Sequence, residues 1–148
     1  MVGLCKINNT DIYTEYGVFL AETSASETSN MSELMKTPEA KEITKVDFRE
    51  RNGVELPQNV NIKYESIERT LQFCLTADND SERLSNYRRF IKLLGSGKLT
   101  FDIAGCGQYT MVYRDAPSSP SWFKTYSGKS VAIFKVKFLE PQPSLGFV

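Results

Sequence analysis

The 148-residue sequence contains no histidine. Without an imidazole, the chain cannot form a Ser-His or Cys-His catalytic pair or a histidine-bearing zinc or iron site. It also lacks the apolar run of about 18 residues that a membrane-spanning helix requires. Its first residues lack the basic start and long apolar stretch of a secretory signal. The sequence therefore predicts a protein with no membrane partner.

The chain has no net charge, because 18 basic residues balance 18 acidic ones. Proteins that bind nucleic acid specifically usually carry a basic excess, so this class is disfavoured. The charge is unevenly distributed: residues 1–60 carry 6 − 10 = −4, and the remainder carries 12 − 8 = +4. These opposite charges either attract neighbouring subunits or pair within one fold.

Cysteines and carboxylates show no catalytic or metal-binding pattern. Cys5, Cys74 and Cys106 are widely separated, with no C-x-x-C pair, which predicts reduced thiols and no zinc or redox site. Glycines 105 and 107 are not followed by the Lys-Ser/Thr and helix of a phosphate-binding loop. A small hydrolase using Asp102 or Asp115 is one alternative. We predict no enzyme activity, no cofactor, no metal and no small-molecule substrate.

The composition is that of a globular protein, with 41% hydrophobic and 24% charged residues. The length predicts one domain over residues 1–148. Apolar residues alternate with polar ones in segments that predict about eight strands. The clearest are residues 4–7, 16–20, 43–48, 60–76, 98–103, 109–113 and 130–140. The first two predict an N-terminal hairpin, and Asn52-Gly53 predicts a second hairpin turn.

One segment, about residues 80–94, is predicted to be helical. Polar residues 78–81 offer N-cap oxygens, and Gly95 is predicted to be a left-handed C-terminal cap. The apolar stripe of this helix consists of Leu84, Tyr87, Phe90, Ile91 and Leu94. The predicted fold is therefore mainly β (α+β): an antiparallel β-sandwich or partly closed barrel with one packed α-helix.

Residues 22–42 form a long polar segment rich in Ser, Thr and Glu. Loops of this length are uncommon in compact domains. Met31, Leu34 and Met35 form a small apolar patch at helical spacing within it. The segment is either a mobile loop with one helical turn or an arm that becomes ordered on another subunit.

Several stretches occur in a characteristic order along the chain. They are Arg69-Thr70-Leu71-Gln72-Phe73, the helix to residue 94, Leu99-Thr100-Phe101, the Tyr-rich strand 109–113, and Phe134-Lys135-Val136-Lys137-Phe138-Leu139-Glu140-Pro141-Gln142-Pro143. This order resembles that of phage tail-tube and distal-tail proteins. Residues 7–12 with 16–18 are similar to the start of distal-tail proteins, although Asn9 stands where glycine is more usual. The chain leaves no room after Pro143 for a second, peripheral domain, which favours a tube or tail-terminus role.

The resemblance implies a structural subunit of a phage or prophage tail. Such subunits assemble into rings, hexameric in this family, around a DNA passage. The partners implied are copies of the chain and other tail proteins, with DNA only as non-specific cargo in the lumen. The location implied is the virion tail, after synthesis in the bacterial cytoplasm. The segment 22–42 corresponds in position to the loop that grips a neighbour, and we expect its removal to abolish ring formation. The candidate interface residues are Met31, Leu34, Met35, Arg88, Arg89, Trp122 and Phe123.

The main alternative is a monomeric binding module. Trp122, Phe123 and Tyr126 follow a proline-bounded loop and could form an aromatic patch for a carbohydrate or peptide. A stable monomer at high concentration would favour this module over a tail subunit.

Overall fold

The computed structural model describes residues 2–22, 28–43, 45–60, 62–117 and 119–143. The helices and strands of these residues follow one another along the chain as β1 (Cys5–Ile7), β2 (Thr10–Asp11), α1 (Ile12–Tyr16), β3 (Val18–Leu20), α2 (Ser29–Met35), β4 (Ile67–Ala77), α3 (Asp80–Leu94), β5 (Lys98–Ile103), β6 (Gly107–Asp115), β7 (Ser121–Lys124) and β8 (Ser130–Glu140).

The described strands form one eight-stranded antiparallel sheet in the order β2-β1-β5-β6-β8-β4-β3, with β7 also paired to β8. The sheet curves into a half-barrel, so the prediction of a mainly antiparallel β fold is confirmed. Its centre is the pairing of β4 with β8, which runs from Ile67↔Glu140 to Ala77↔Ser130 without a register shift. This long ladder fixes which side chains of the two strands face the core.

The core is aromatic at its centre. Phe73 of β4 packs 5.3 Å from Phe90 of α3 and 5.8 Å from Phe134 of β8, measured between ring centroids. Phe138 lies 5.0 Å from Phe101 of β5. The alternating residues predicted to face inward on β4, β5 and β8 are buried. These edge-to-face and stacked rings join α3 to the concave side of the sheet.

Helix α3 confirms the predicted helix at residues 80–94, and Asn79 is its N-cap. The Asn79 side-chain oxygen accepts a hydrogen bond from the Glu82 backbone N–H at 2.8 Å. Phe90 and Leu94 are buried, but Leu84 is 42% exposed. The prediction that Leu84 belongs to the buried stripe is therefore wrong, because Arg83 faces the sheet at this turn, where its Nη1 donates to the Val131 carbonyl of β8 at 3.3 Å.

The end of α3 also differs from the prediction. Gly95 has φ −82°, so it is not a left-handed cap. Instead, the backbone N–H and hydroxyl of Ser96 both donate to the Leu93 carbonyl, at 3.1 and 2.7 Å. The reversal occurs two residues later, at Gly97 with φ +128°. The Ser96 side chain therefore satisfies a terminal carbonyl of the helix.

The predicted N-terminal hairpin between residues 4–7 and 16–20 is wrong. Strand β1 pairs with β2 and β5, whereas β3 pairs with β4 at the other end of the sheet. Helix α1 separates the two, and Gly17 ends it with φ +69°. A Cβ at Gly17 would lie 2.5 Å from the Thr76 carbonyl oxygen. The chain therefore needs glycine here to cross from one sheet end to the other.

The strand predicted at residues 43–48 is wrong as a regular strand, since its described residues contain one isolated bridge, Val46↔Glu55. The long strand predicted from residue 60 begins only at Ile67. Helix α1 was not predicted, whereas α2 lies where one helical turn was predicted within the segment 22–42.

Candidate assembly surface

Helix α2 lies against its own sheet and caps the exposed edge of β4. Beyond the end of β3, the Gln72 backbone N–H donates to Asn30 Oδ1 at 2.7 Å, and Asn30 Nδ2 donates back to the Gln72 carbonyl at 3.1 Å. The Thr70 N–H donates to Glu33 Oε2 at 2.9 Å. Side chains of α2 therefore take the place of a neighbouring strand on this part of the edge.

A buried arginine holds the end of α2. Arg69 is fully buried, and its Nη1 donates to the Glu33 carbonyl and, at 3.1 Å, to the Lys36 carbonyl. Its Nη2 lies 3.2 Å from Glu140 Oε1, and Glu140 is equally buried. Arg69 therefore satisfies carbonyl groups that the helix end leaves free, while Glu140 compensates its charge.

Tyr109 completes this cluster. Its ring centroid lies 5.3 Å from the Arg69 guanidinium carbon, and its hydroxyl donates to the Leu34 carbonyl at 3.0 Å. Burial raises the pKa of Glu140, and the nearby Arg69 charge partly opposes this. Burial likewise raises the pKa of Tyr109. The cluster fixes α2 to the domain from which it comes.

The three apolar residues of α2 are separated by this packing. Leu34 is 4% exposed and belongs to the core, whereas Met31 and Met35 are 46% and 54% exposed. The described part of the segment 22–42 is therefore largely held in its own domain up to residue 36; residues 23–27 lie outside the described residues. Only Met31 and Met35 of this patch are available to another molecule.

The described residues between 39 and 65 (39–43, 45–60 and 62–65) form a hairpin, which we call the arm. The Lys41 N–H donates to the Lys63 carbonyl at 2.7 Å, and the Glu65 N–H donates to the Glu39 carbonyl at 2.8 Å. Nearer the tip, Val46 and Glu55 exchange backbone hydrogen bonds of 2.9 and 2.6 Å. The predicted hairpin turn at Asn52-Gly53 lies at this tip, and Gly53 has φ +72°.

The arm exposes several large apolar side chains. All its described residues are exposed except the half-buried Ile43. On the returning side, large apolar side chains are 41–52% exposed at Val54, Leu56, Val60, Ile62 and Tyr64. On the outgoing side, Val46 and Phe48 are also about half exposed. A cluster of this size on a small domain is typical of an interaction surface.

Of the aromatic residues predicted to form a patch, Trp122 and Phe123 lie on β7 and Tyr126 follows it. Trp122 is 40% exposed, its ring is 5.3 Å from that of Tyr87, and the Arg83 guanidinium carbon lies 4.7 Å from its ring centroid. Phe123 is 45% exposed and Tyr126 fully exposed. Since Trp122 already contacts Tyr87 and Arg83, it is less available for stacking on a flat ligand.

The two helix arginines differ in their contacts. Arg88 is exposed on α3. Arg89 lies 3.1 Å from a Glu15 oxygen, and its guanidinium carbon is 5.0 Å from the Tyr16 ring centroid. Arg89 therefore links α3 to α1 within the domain. The predicted interface residues thus lie on three different elements: α2, α3 and β7.

Few features of the described residues suggest catalysis. Asp102 and Asp115, the carboxylates of the hydrolase alternative, are exposed on β5 and β6. The described side chains include no group of three or more potential metal ligands among His, Cys, Asp and Glu. Within the same ranges, none of the helices has the length and hydropathy that crossing a bilayer requires.

Sequence reasoning missed the buried ion pair of Arg69 with Glu140 and the exposed apolar residues of the arm, although both left a signal in the sequence. Arg69 continues the odd-numbered apolar face of β4, and Glu140 continues the even-numbered face of β8. A charge placed on each buried face predicts an ion pair when the strands are neighbours. The apolar residues at positions 60, 62 and 64 likewise alternate as in a strand with one apolar face.

No known protein family and no curated protein matches the sequence. Among solved structures, the chain is similar to the Dit protein (gp 19.1) of phage SPP1, described as a paradigm of the hub adsorption apparatus of phages that infect Gram-positive bacteria. The identity is 11% and the TM-score 0.48, over 95% of this chain and 52% of the Dit chain. The chain thus spans about half the length of that protein. A similarity of this degree concerns the general fold.

Proposed function

We propose that this chain is a structural subunit of a phage or prophage tail and that it assembles with copies of itself. The exposed apolar side chains of the arm are the observation that carries the proposal. Seven large apolar side chains are about half exposed on residues 39–43, 45–60 and 62–65, which contribute little to their own core. In a monomer these side chains would remain in water, whereas a neighbouring subunit can bury them.

The arm favours a repeating contact between identical subunits. We propose that the arm of each subunit contacts a different surface of its neighbour, so that the contact is head-to-tail. Repeated head-to-tail contacts close into a ring or continue as a filament. We propose closure into a ring, hexameric as the sequence resemblance implies, around a passage in which DNA is non-specific cargo. The subunit would then be one tail-tube-like domain over residues 1–148, located in the virion tail among other tail proteins.

The proposal changes the segment to which assembly is assigned. The sequence favoured residues 22–42, but α2 is fixed to its own sheet by Asn30, Glu33 and Arg69. Deletion of 22–42 would therefore damage the domain as well as any interface. We assign the contact to the arm, with the exposed Met31 and Met35, Arg88, Trp122 and Phe123 as further candidate contacts.

Substitution of exposed apolar residues of the arm by charged residues tests the proposal. Each half-exposed side chain contributes about 1 kcal/mol when it is buried, so Leu56→Asp with Ile62→Asp should weaken each contact about 30-fold. Lys63→Asp, at the exposed polar residue next to Ile62, is the matched control. Analytical ultracentrifugation over a concentration series and negative-stain images would measure assembly.

We expect the unaltered chain and Lys63→Asp to form multimers, and the double variant to remain monomeric with an unchanged circular dichroism spectrum. A chain that stays monomeric at the highest concentration reached would refute the proposal and favour the alternative, a monomeric module that uses the aromatic patch near Trp122. Multimers of the double variant equal to those of the control would remove the arm from the interface.

A further inference from the structure

Part of the edge of β4 that faces α2 has no neighbouring strand. Strand β3 pairs with residues 73–75, and beyond it the Ala21 N–H donates to the Gln72 carbonyl at 3.1 Å. Among the described strands, none pairs with residues 68–71 on this side. Because the bonding direction alternates along an antiparallel strand, the backbone groups of the even-numbered residues from 68 to 72 point toward this edge. Helix α2 lies against these groups.

Three side chains spaced three residues apart meet this edge in order. Each contacts the backbone of every second residue of β4: Asn30 that of Gln72, Glu33 that of Thr70, and Lys36, at 3.5 Å, that of Glu68. Six residues of a helix rise about 9 Å, whereas four residues of a strand extend about 13 Å. The side chains lengthen from Asn to Glu to Lys, which compensates for this difference. The three side chains therefore match the spacing of a strand edge.

Helix α2 together with Lys36, which we call the cover, is held in place by few contacts. The helix has seven residues, and its N-cap Thr28 makes no side-chain capping hydrogen bond. Leu34 is its one buried apolar side chain. Its first turn is held by Glu22 and its end by Arg69. Segments that bury little apolar surface open at a lower free energy than the whole domain unfolds. We therefore expect the cover to leave the edge while the sheet stays folded.

We infer that the cover is an autoinhibitory contact, which closes a strand-pairing site on β4 in the free subunit. When the cover moves away, the edge presents backbone donors and acceptors that pair with an extended strand of another chain. Every copy of the chain carries the same edge, so the chain that the cover keeps away is a second copy. This inference does not depend on the arm, because the last contact of the cover, at Lys36, precedes the arm in the sequence.

Native-state hydrogen exchange in increasing urea tests whether the cover opens by itself, and it needs no variant. The Thr70 and Gln72 amides donate to side chains of α2, whereas the Leu71 and Phe73 amides lie on the β8 side of the same strand. We expect the first two amides to exchange at least about ten-fold faster than the second two, at rates that low urea leaves unchanged. If all four amides show the same dependence on urea, α2 opens only when the domain unfolds, and the inference is overturned.

Sedimentation of uncovered subunits tests what the cover prevents. The test variant combines Asn30→Ala with Glu33→Ala, which removes both side chains that accept from β4. Two controls leave the cover in place: Glu33→Gln keeps an acceptor for the Thr70 N–H, and Ser32→Ala shortens an exposed side chain of the same helix. All are measured in the chain that carries the two aspartate substitutions in the arm, so that contact through the arm is weakened. We expect the test variant to associate at least about ten-fold more tightly than either control.

A lysine on the edge separates strand pairing from general unfolding, because charged side chains on an edge strand oppose its pairing. Thr70→Lys, added to the test variant, should return its sedimentation to that of the controls. Association that persists with Thr70→Lys would show that another surface is exposed, and would overturn the edge as the site. A test variant that sediments like the controls would overturn the inhibitory role of the cover. Both of these outcomes leave the proposed function intact, whereas multimers of the arm variant with the cover unaltered count against the proposed function alone.

Discussion

Replacing Arg69 with methionine removes the group that holds α2 to the sheet. The guanidinium loses its ion pair with Glu140 at 3.2 Å, its donation to two carbonyls at the end of α2, and its position over the Tyr109 ring. Methionine fills most of the volume, so the change is mainly electrostatic. Removing one partner of a buried ion pair typically costs about 3–5 kcal/mol, a large part of the ~5–15 kcal/mol that stabilises a domain.

Urea denaturation at neutral pH, followed by circular dichroism, measures this loss. Arg114→Met is the control, because Arg114 is an exposed arginine 3.9 Å from Glu68, and such surface pairs contribute about 0–1 kcal/mol. Adding Glu140→Gln to Arg69→Met should restore part of the stability, since it removes the uncompensated buried carboxylate. The reasoning is refuted if Arg69→Met costs less than ~1 kcal/mol, or if the double variant is no more stable than Arg69→Met.

The stability of the folded chain should also change with pH in a direction that the Glu140 carboxyl determines. Burial raises the pKa of Glu140 in the folded state above its ordinary value of 4.5. At a pH between 4.5 and the raised pKa of the folded state, Glu140 keeps a proton in the folded state that it has lost in the unfolded state. The stability contributed by this group therefore falls as pH rises through this range. Arg69 opposes the shift, so we expect Arg69→Met to lose stability more steeply than the unaltered chain between pH 4.5 and neutrality. A parallel pair of stability profiles would contradict this account.

Three further predictions concern single sites. Burial, with nearby carboxylates, raises the pKa of Cys5 to about 12, so at pH 8 a thiol reagent should modify the half-exposed Cys106 first and Cys5 only after unfolding; rapid modification of Cys5 would contradict its burial. Gly17→Ala should cost at least ~1 kcal/mol more than Gly53→Ala, because both have positive φ but only the first Cβ meets backbone atoms; equal urea midpoints would contradict this. Asn30→Ala should cost about 1–3 kcal/mol, because it leaves backbone groups of β4 without their hydrogen-bond partner. Thermal unfolding would detect this loss as a lower midpoint. An unchanged midpoint would show that water replaces the amide.

The fold was predictable where the spacing of the apolar residues matches the period of a strand or of a helix. Strands β4, β5 and β8 alternate with period two, and α3 repeats with period 3.6, so their sequences determine both the element and its buried face. The capping of α3 by the polar residues before it was also predictable. These elements supply most of the core, which is why the fold class was predicted correctly.

The unpredicted part depends on pairing over long sequence separations. Strand β3 has three residues, and nothing local selects β4 rather than β1 as its partner. That choice follows from α1 and the close approach at Gly17. Helix α2 has seven residues and little intrinsic stability, so its sequence predicted one helical turn but not its packing on the sheet. It is held by bonds to residues 69–72, about 40 positions away in the sequence.

The sequence predicted an assembly surface, but it assigned that surface to other residues than the structure does. The sequence indicated an assembly segment near residue 30, because that stretch is long and polar with a few apolar residues. The structure shows that α2 uses its polar side chains to cap β4 and buries Leu34. Residues 60–64 are predicted to begin the long core strand, because alternation alone does not distinguish a face buried in the same domain from one buried by a neighbour.

The fixed base of the arm lowers the conformational entropy that the arm loses when it contacts a neighbour. Assembly through a fully disordered segment would require the ordering of every residue, at roughly 1–2 kcal/mol of backbone entropy each. Here Arg69 fixes the end of α2, Pro38 is buried beside it, and the base of the arm is paired from Glu39 to Glu65. The arm therefore leaves the domain in a defined direction, and less conformational freedom is lost on contact with a neighbour. It follows that Arg69→Met should weaken assembly even under conditions in which the rest of the domain remains folded.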